Sequence, residues 1–136
     1  MTPRRPRSIE VDGITHGNAP IPMGARVGDM IYSSGIMGRD PANDTLPSDA
    51  ASQAKFVFQH LRTLLRNGGA SLDDVVHVKA YIQDNSVREL LNVEWLACFP
   101  DPHDRPARHT VVTDLPGGML IQIEIVAVVS PTATRS

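Results

Sequence analysis

The sequence predicts an α/β (α+β) domain: a mixed sheet of about six strands with two helices on one face. Three observations predict it. At 136 residues, 41% apolar and 21% charged, the chain can build one two-layer core but not two. Two segments carry helical periodicity, and extended segments precede, separate and follow them, giving the order β-β-β-α-β-α-β-β. Two helices can cover only one face of such a sheet, so the half-polar, half-apolar face left over predicts self-association.

In chain order, residues 1–7 read as a solvated tail, with an RNA-contacting arm as the alternative for the "RRPR" run. "SIEV" (8–11) is a short strand closed by Asp12-Gly13, and "HGNAPIPMG" (16–24) is a loop rich in Gly and Pro. "ARVGDMIYSSGIM" (25–37) reads as two extended pieces joined by a hairpin at Gly28-Asp29, followed by a loop over 38–47. The first helix takes Ser48 as its cap, and Ala54, Val57, Phe58, Leu61, Leu64 and Leu65 form its apolar stripe. Asn67-Gly68-Gly69 stops it.

"VVHVKAYI" (75–82) is a strand with Val76, Val78, Ala80 and Ile82 on one face and Val75, His77, Lys79 and Tyr81 on the other. The second helix opens on a capping box, Ser86 and Glu89. Its apolar residues Val87, Leu90, Leu91, Val93, Trp95, Leu96 and Phe99 occupy more than one stripe. Such a helix needs two partners, one of which can be another subunit. "RHTVV" (108–112) is a strand, "DLPGG" (114–118) a turn, and "MLIQIEIVAVV" (119–129) a long strand. A single domain over 8–130 thus lies between tails at 1–7 and 131–136.

Composition narrows the function. A net charge of −2 and a pI near 6.2 argue against a dedicated nucleic-acid binder. The charged N-terminus is followed by no apolar core of a signal peptide, and no apolar run approaches the ~18–20 residues of a membrane span. Cys98 is the one cysteine, so no intramolecular disulfide forms, which fits a reducing, cytoplasmic setting. No Ser-His-Asp order, P-loop or GxGxxG context is present.

"DPHDRPARHT" (101–110) concentrates cationic groups before the most apolar strand. Arg108 follows a proline at the start of a strand, where a guanidinium can grip a carboxylate through two bonds or pair with Asp101 or Asp104. Arg105 is a loop charge or a second ligand contact. His103, His109, Asp101 and Asp104 lack clean ligand spacing, so no metal site is expected. Gln122 and Glu124 interrupt an apolar strand two residues apart, and buried without partners they would be costly. Their partners are His77 or Lys79 across the sheet, or a water or substrate. Cys98 sits among apolar neighbours as a small core residue.

Together "IYSSGIM", "ASQAKFVFQHLRTLLRNGGASLDDVVHVKAYI", "LLNVEWLACF", "RPARHTVV" and "LPGGMLIQIEIVAV" resemble the RidA/YjgF family of reactive-intermediate deaminases over residues 19–129. The resemblance implies a chorismate-mutase-like fold assembled as a homotrimer with clefts between subunits. It implies cofactor-free hydrolysis of enamines and imines of the 2-aminoacrylate type to 2-keto acids and ammonia. A dicarboxylate enamine of the 2-aminomuconate type, or non-catalytic ligand binding, is the alternative.

Carried over by position, Arg108 matches the arginine that holds the substrate carboxylate. Gly35 matches the glycine whose backbone lines the cleft, Asn92 the cleft asparagine, and Thr110 a site of small residues. The family's loop tyrosine is absent from "APIPMGA", which makes Met23 the apolar wall there. Gln122 falls at the position of the water-positioning glutamate, with Glu124 two residues on; a glutamine can orient a water but cannot take its proton. Arg105 and His109 are left to read a second acidic group.

Overall fold

Along the last strand Ile121, Ile123, Ile125 and Ala127 are buried, while Gln122, Glu124 and Val126 between them are only partly covered. This period of two fixes one core face and one open face. The computed structural model describes residues 5–130 and builds both faces from nine elements. They are β1 (Ser8–Ile9), β2 (Gly24–Val27), β3 (Met30–Ser33), β4 (Ile36–Met37), α1 (Ala50–Asn67), β5 (Val75–Ile82), α2 (Arg88–Cys98), β6 (Ala107–Val112) and β7 (Ile121–Val128). Of the expected tails, only residues 5–7 fall in the described part; 1–4 and 131–136 lie outside it.

The mixed α+β sheet has seven strands in the order β1-β2-β3-β7-β5-β6, with β4 also paired to β7. All neighbours are antiparallel except β5 and β6, which run parallel and are connected through α2. The hairpin falls at Gly28-Asp29 as the sequence predicts: Val27 pairs with Met30 and Gly28 has φ +57°. The seventh strand was not expected. It exists because Tyr32 pairs with Val126 but Ile36 with Ile123, so β3–β4 carries one residue more than β7 across the Ser34-Gly35 bend.

A second bulge corrects the faces of β5. Val75 pairs with Ala127 and His77 with Val126, which leaves Val76 unpaired and 51% exposed. Val75 therefore takes the core position expected of Val76. Both helix starts also differ from expectation. Asp49, not Ser48, caps α1 by accepting from the Ser52 N–H at 2.8 Å. Asp84, not Ser86, receives the capping bond before a 3₁₀ turn over Asn85–Val87, and α2 begins only at Arg88. No Ser86–Glu89 box forms. The start of β7 is delayed to Ile121, because Met119 N–H closes a turn onto Pro116 and Leu120 N–H is taken by Gln53.

α1 presents Val57, Phe58, Leu61, Leu64 and Leu65, all buried, to the isoleucines of β3, β4 and β7. Gln53 is fully buried among them and satisfied: its amide donates to Pro47 and Gly118 carbonyls and accepts from Leu120 N–H. On the open face Val27, Met30, Tyr32 and Val128 stay exposed. Among the described residues, no helix is long and apolar enough to cross a membrane.

Candidate active site

Parallel pairing places Arg108 beside Val78, Thr110 beside Ala80 and Val112 beside Ile82. Since Val78, Ala80 and Ile82 face the helices, so do Arg108 and Thr110, at the sheet edge where β6 ends the layer. The Arg108 guanidinium lies over the Trp95 ring of α2 at 4.9 Å. Arg88, Asn92 and Trp95 follow one another at helical spacing along α2, so Asn92 sits on the same stripe. Arg108 is half-buried, and neither Asp101 nor Asp104 forms an ion pair with it; the described residues hold only Arg26–Asp29 and Arg39–Asp44. Burial first, and the Arg88 cation second, lower its proton affinity below the ordinary arginine range. The guanidinium is thus partly desolvated, opposed by a like charge and without a carboxylate partner among the described residues.

The second group lies on the open face. Gln122 stands against Gly35 so closely that a Cβ there would come within 1.8 Å of the Gln122 amide nitrogen. Only glycine fits. The Gly35 carbonyl accepts from His16 Nε2 at 2.8 Å, which leaves the buried Nδ1 without a partner. Two residues beyond Gln122, Glu124 accepts from the Tyr81 hydroxyl at 2.8 Å. The Lys79 ammonium lies over the Tyr81 ring at 5.3 Å instead of pairing with Glu124, its neighbour in register. The Gln122 side chain has no hydrogen-bond partner among the described residues, so its amide is available to a water or ligand.

Three expected site residues are placed elsewhere. Met23 is 2% exposed and belongs to the core, so it forms no cleft wall; in the same loop Ile21 is 51% exposed. Arg105 donates to the carbonyls of Phe99 at 2.8 Å and Pro100 at 3.3 Å, tying its own loop down. His109 is exposed opposite Lys79 on the open face, away from Arg108. Cys98 packs against the core and burial raises its thiol pKa, which suits a structural residue better than a nucleophile.

The remaining candidates form two half-sites. Arg108, Asn92 and Thr110 face the helix side; Gly35, Gln122 and Glu124 face the other. Sequence reasoning missed Trp95 as the shelf for Arg108, although its spacing from Asn92 carried that signal. It also missed Tyr81 as the partner of Glu124. His16 gave no signal, because its role depends on a bend almost twenty residues away.

Comparison with known proteins gives the family. The family described as Endoribonuclease L-PSP matches residues 19–129. The chain belongs to that family, which is the RidA/YjgF family. A protein named 3-aminoacrylate deaminase RutC, from Acinetobacter baylyi, is 33% identical over 98 residues, spanning 71% of this chain and 76% of the relative. A 2-iminobutanoate/2-iminopropanoate deaminase of Escherichia coli is 27% identical over 124 residues, 90% of this chain and 97% of the relative. The crystal structure of RidA from an Antarctic Psychrobacter superposes with a TM-score of 0.82 at 29% identity, covering 90% of this chain and 99% of that one.

Proposed function

We propose that this chain hydrolyses small carboxylate-bearing enamines and imines, of the 2-aminoacrylate/2-iminopropanoate type, to 2-keto acids and ammonia. The observation that carries this reading is the half-buried Arg108 guanidinium, stacked on Trp95 and lacking a counter-ion. Its planar fork suits a carboxylate and fixes the adjacent carbon. The names of the two deaminase relatives support the same chemistry.

The enamine first takes a proton at its terminal carbon and gives one up from nitrogen, becoming the more electrophilic imine. A water oriented by Gln122 and the Gly35 backbone then adds to the imine carbon. Its oxygen bonds that carbon while nitrogen gains a proton. Glutamine cannot accept the proton the water loses. Glu124, held by Tyr81 on the same face, is the carboxylate placed to relay it. The hydroxyl proton then passes to the nitrogen as the C–N bond breaks, leaving the keto acid and ammonia. Most of the rate comes from positioning, to which a near-attack geometry contributes about 7–11 kcal/mol at best.

Because the two half-sites face apart within one chain, a cleft that uses both needs a second copy. We assign it to a homotrimer with clefts between subunits. One observation favours a dicarboxylate enamine as the second reading: Arg88 lies on the same stripe of α2 as Trp95, over which Arg108 sits, and a second cation suits a second carboxylate. Arg88 takes over here the part first given to Arg105 and His109.

The test is ammonia release from 2-imino acids generated in place by an amino-acid oxidase, with semicarbazide trapping to correct for spontaneous hydrolysis. Wild type accelerates release, and Arg108→Ala loses at least about a hundredfold in kcat/KM, close to 2.7 kcal/mol of transition-state binding. No acceleration on these or on a dicarboxylate enamine, with retained 2-keto acid binding, replaces the enzyme by a ligand-binding protein.

A further inference from the structure

Away from both half-sites, where β1 and β2 meet the end of α1, a cavity of about 580 Å³ is lined by Arg5, Arg7, Arg26 and Arg66 and by no Asp or Glu. In a chain of net charge −2, four cations around one cavity with no lining carboxylate call for an explanation. Two of them have structural work. Arg26 donates to the Gly28 carbonyl at 2.9 Å and the Gly68 carbonyl at 2.7 Å, with Asp29 at 3.8 Å. Arg66 lies in the last turn of α1, where a cation is favoured by the helix dipole. Arg5 and Arg7 have no such work. Neither forms an ion pair among the described residues, yet both add charge to a wall already positive.

We infer that this cavity binds a small, multiply charged phosphate ester. Guanidinium forks match phosphate oxygens, and several of them answer more charge than one carboxylate carries. The volume lies within the usual range for small-ligand sites, about 300–1,000 Å³. The Ile9 and Val27 side chains supply an apolar wall, but no aromatic ring lines the cavity. Single-stranded RNA is gripped largely by stacking bases on aromatic rings, so a compact phosphate ligand fits better. The Arg26–Gly68 bond fixes the floor: a Cβ on Gly69, at φ +82°, would lie 2.7 Å from Arg26 Nη1.

Calorimetric titration of the full-length chain with inorganic pyrophosphate at low salt tests this. Wild type gives saturable binding. The double variant Arg7→Gln/Arg66→Gln, both positions exposed, weakens it by at least about tenfold with an unchanged circular-dichroism spectrum. Arg108→Ala binds pyrophosphate as wild type does, and the double variant keeps its deaminase rate, so the two sites fail independently. Absence of saturable binding in wild type overturns the inference, as does undiminished binding by the double variant. Loss of binding in Arg108→Ala would move the ligand to the deaminase site, and a short single-stranded RNA that outcompetes pyrophosphate at these arginines would replace the small ligand; either result overturns it.

Discussion

At Arg108 burial and charge pull against each other. Stacking on Trp95 removes water from one side of the guanidinium, Arg88 repels it, and no acid compensates. Keeping such a group is costly unless an anion arrives during function. Arg108→Lys therefore separates charge from shape. Lysine keeps the positive charge but loses the planar fork and the stacked surface, and kcat/KM falls by about tenfold or more, with KM bearing much of the loss. An unchanged KM would mean that only the charge matters. Gly35 makes a different demand. The Gly35→Ala methyl would collide with the Gln122 amide, the movable end of a side chain, so Gln122 swings away and the fold survives. We expect kcat to drop about ten- to a hundredfold with Tm nearly unchanged, because a water misplaced by about 1 Å loses that much. Equal loss of Tm and activity would assign Gly35 to packing alone.

Among the elements, α1 carries a titration that stability measurements can read. His60 is 1% exposed and its Nε2 bonds the Arg39 carbonyl at 2.6 Å. Burial pulls its pKa below the ordinary 6.5, against the smaller opposing pull of the Arg39 carbonyl, Asp40 and Asp44. The unfolded chain thus binds the proton more readily than the folded one. Stability from neutral His60 is complete above pH 6.5 and is lost as pH falls through the depressed folded value. Tm should fall between pH 7.5 and pH 5 in wild type and change less in His60→Gln; parallel slopes would refute the assignment. The capping carboxylates act with the same sign in a lower window. Hydrogen bonds from Ser52 hold Asp49, and those from Ser86 hold Asp84, below the ordinary 3.8, so their share is lost only as pH drops beneath that value. Helical spacing and strand alternation made both helices, the hairpin and the long last strand legible, since each depends on neighbours a few residues apart. The bulges at Val76 and at Ser34-Gly35 were not legible, because they depend on register against β7, a strand dozens of residues away. Ser48 stood next to an equally competent cap in Asp49. Met23 lies in a Gly- and Pro-rich loop with no periodicity to betray its burial. Arg105 looked like a ligand contact only because charge is visible in a sequence and backbone carbonyls are not.

At the scale of the whole molecule, the open face decides whether the half-sites ever meet. Val27, Met30, Tyr32 and Val128 expose apolar surface there, on the same face that carries Gln122 and Glu124. Apolar residues gathered on one sheet face point to burial against another copy. A homotrimer that covers this face would bring Arg108 of one subunit toward Gln122 of the next. Light scattering then gives three times the 14.8 kDa chain mass. Tyr32→Glu should lower both the particle mass and the deaminase rate, while pyrophosphate binding at the arginine cavity persists. The decisive experiment mixes two inactive proteins, Arg108→Ala and Gln122→Leu, after gentle dissociation and reassembly. Each homotrimer lacks one half of every cleft. In random mixed trimers about one cleft in four receives an intact Arg108 and an intact Gln122 from different subunits. Activity should therefore return to about a quarter of the wild-type rate. If mixing restores nothing although light scattering and exchange of a labelled chain prove that mixed trimers formed, both residues serve the cleft from the same subunit. Arg108 would then have to leave Trp95 and reach round the β6 edge to meet its substrate.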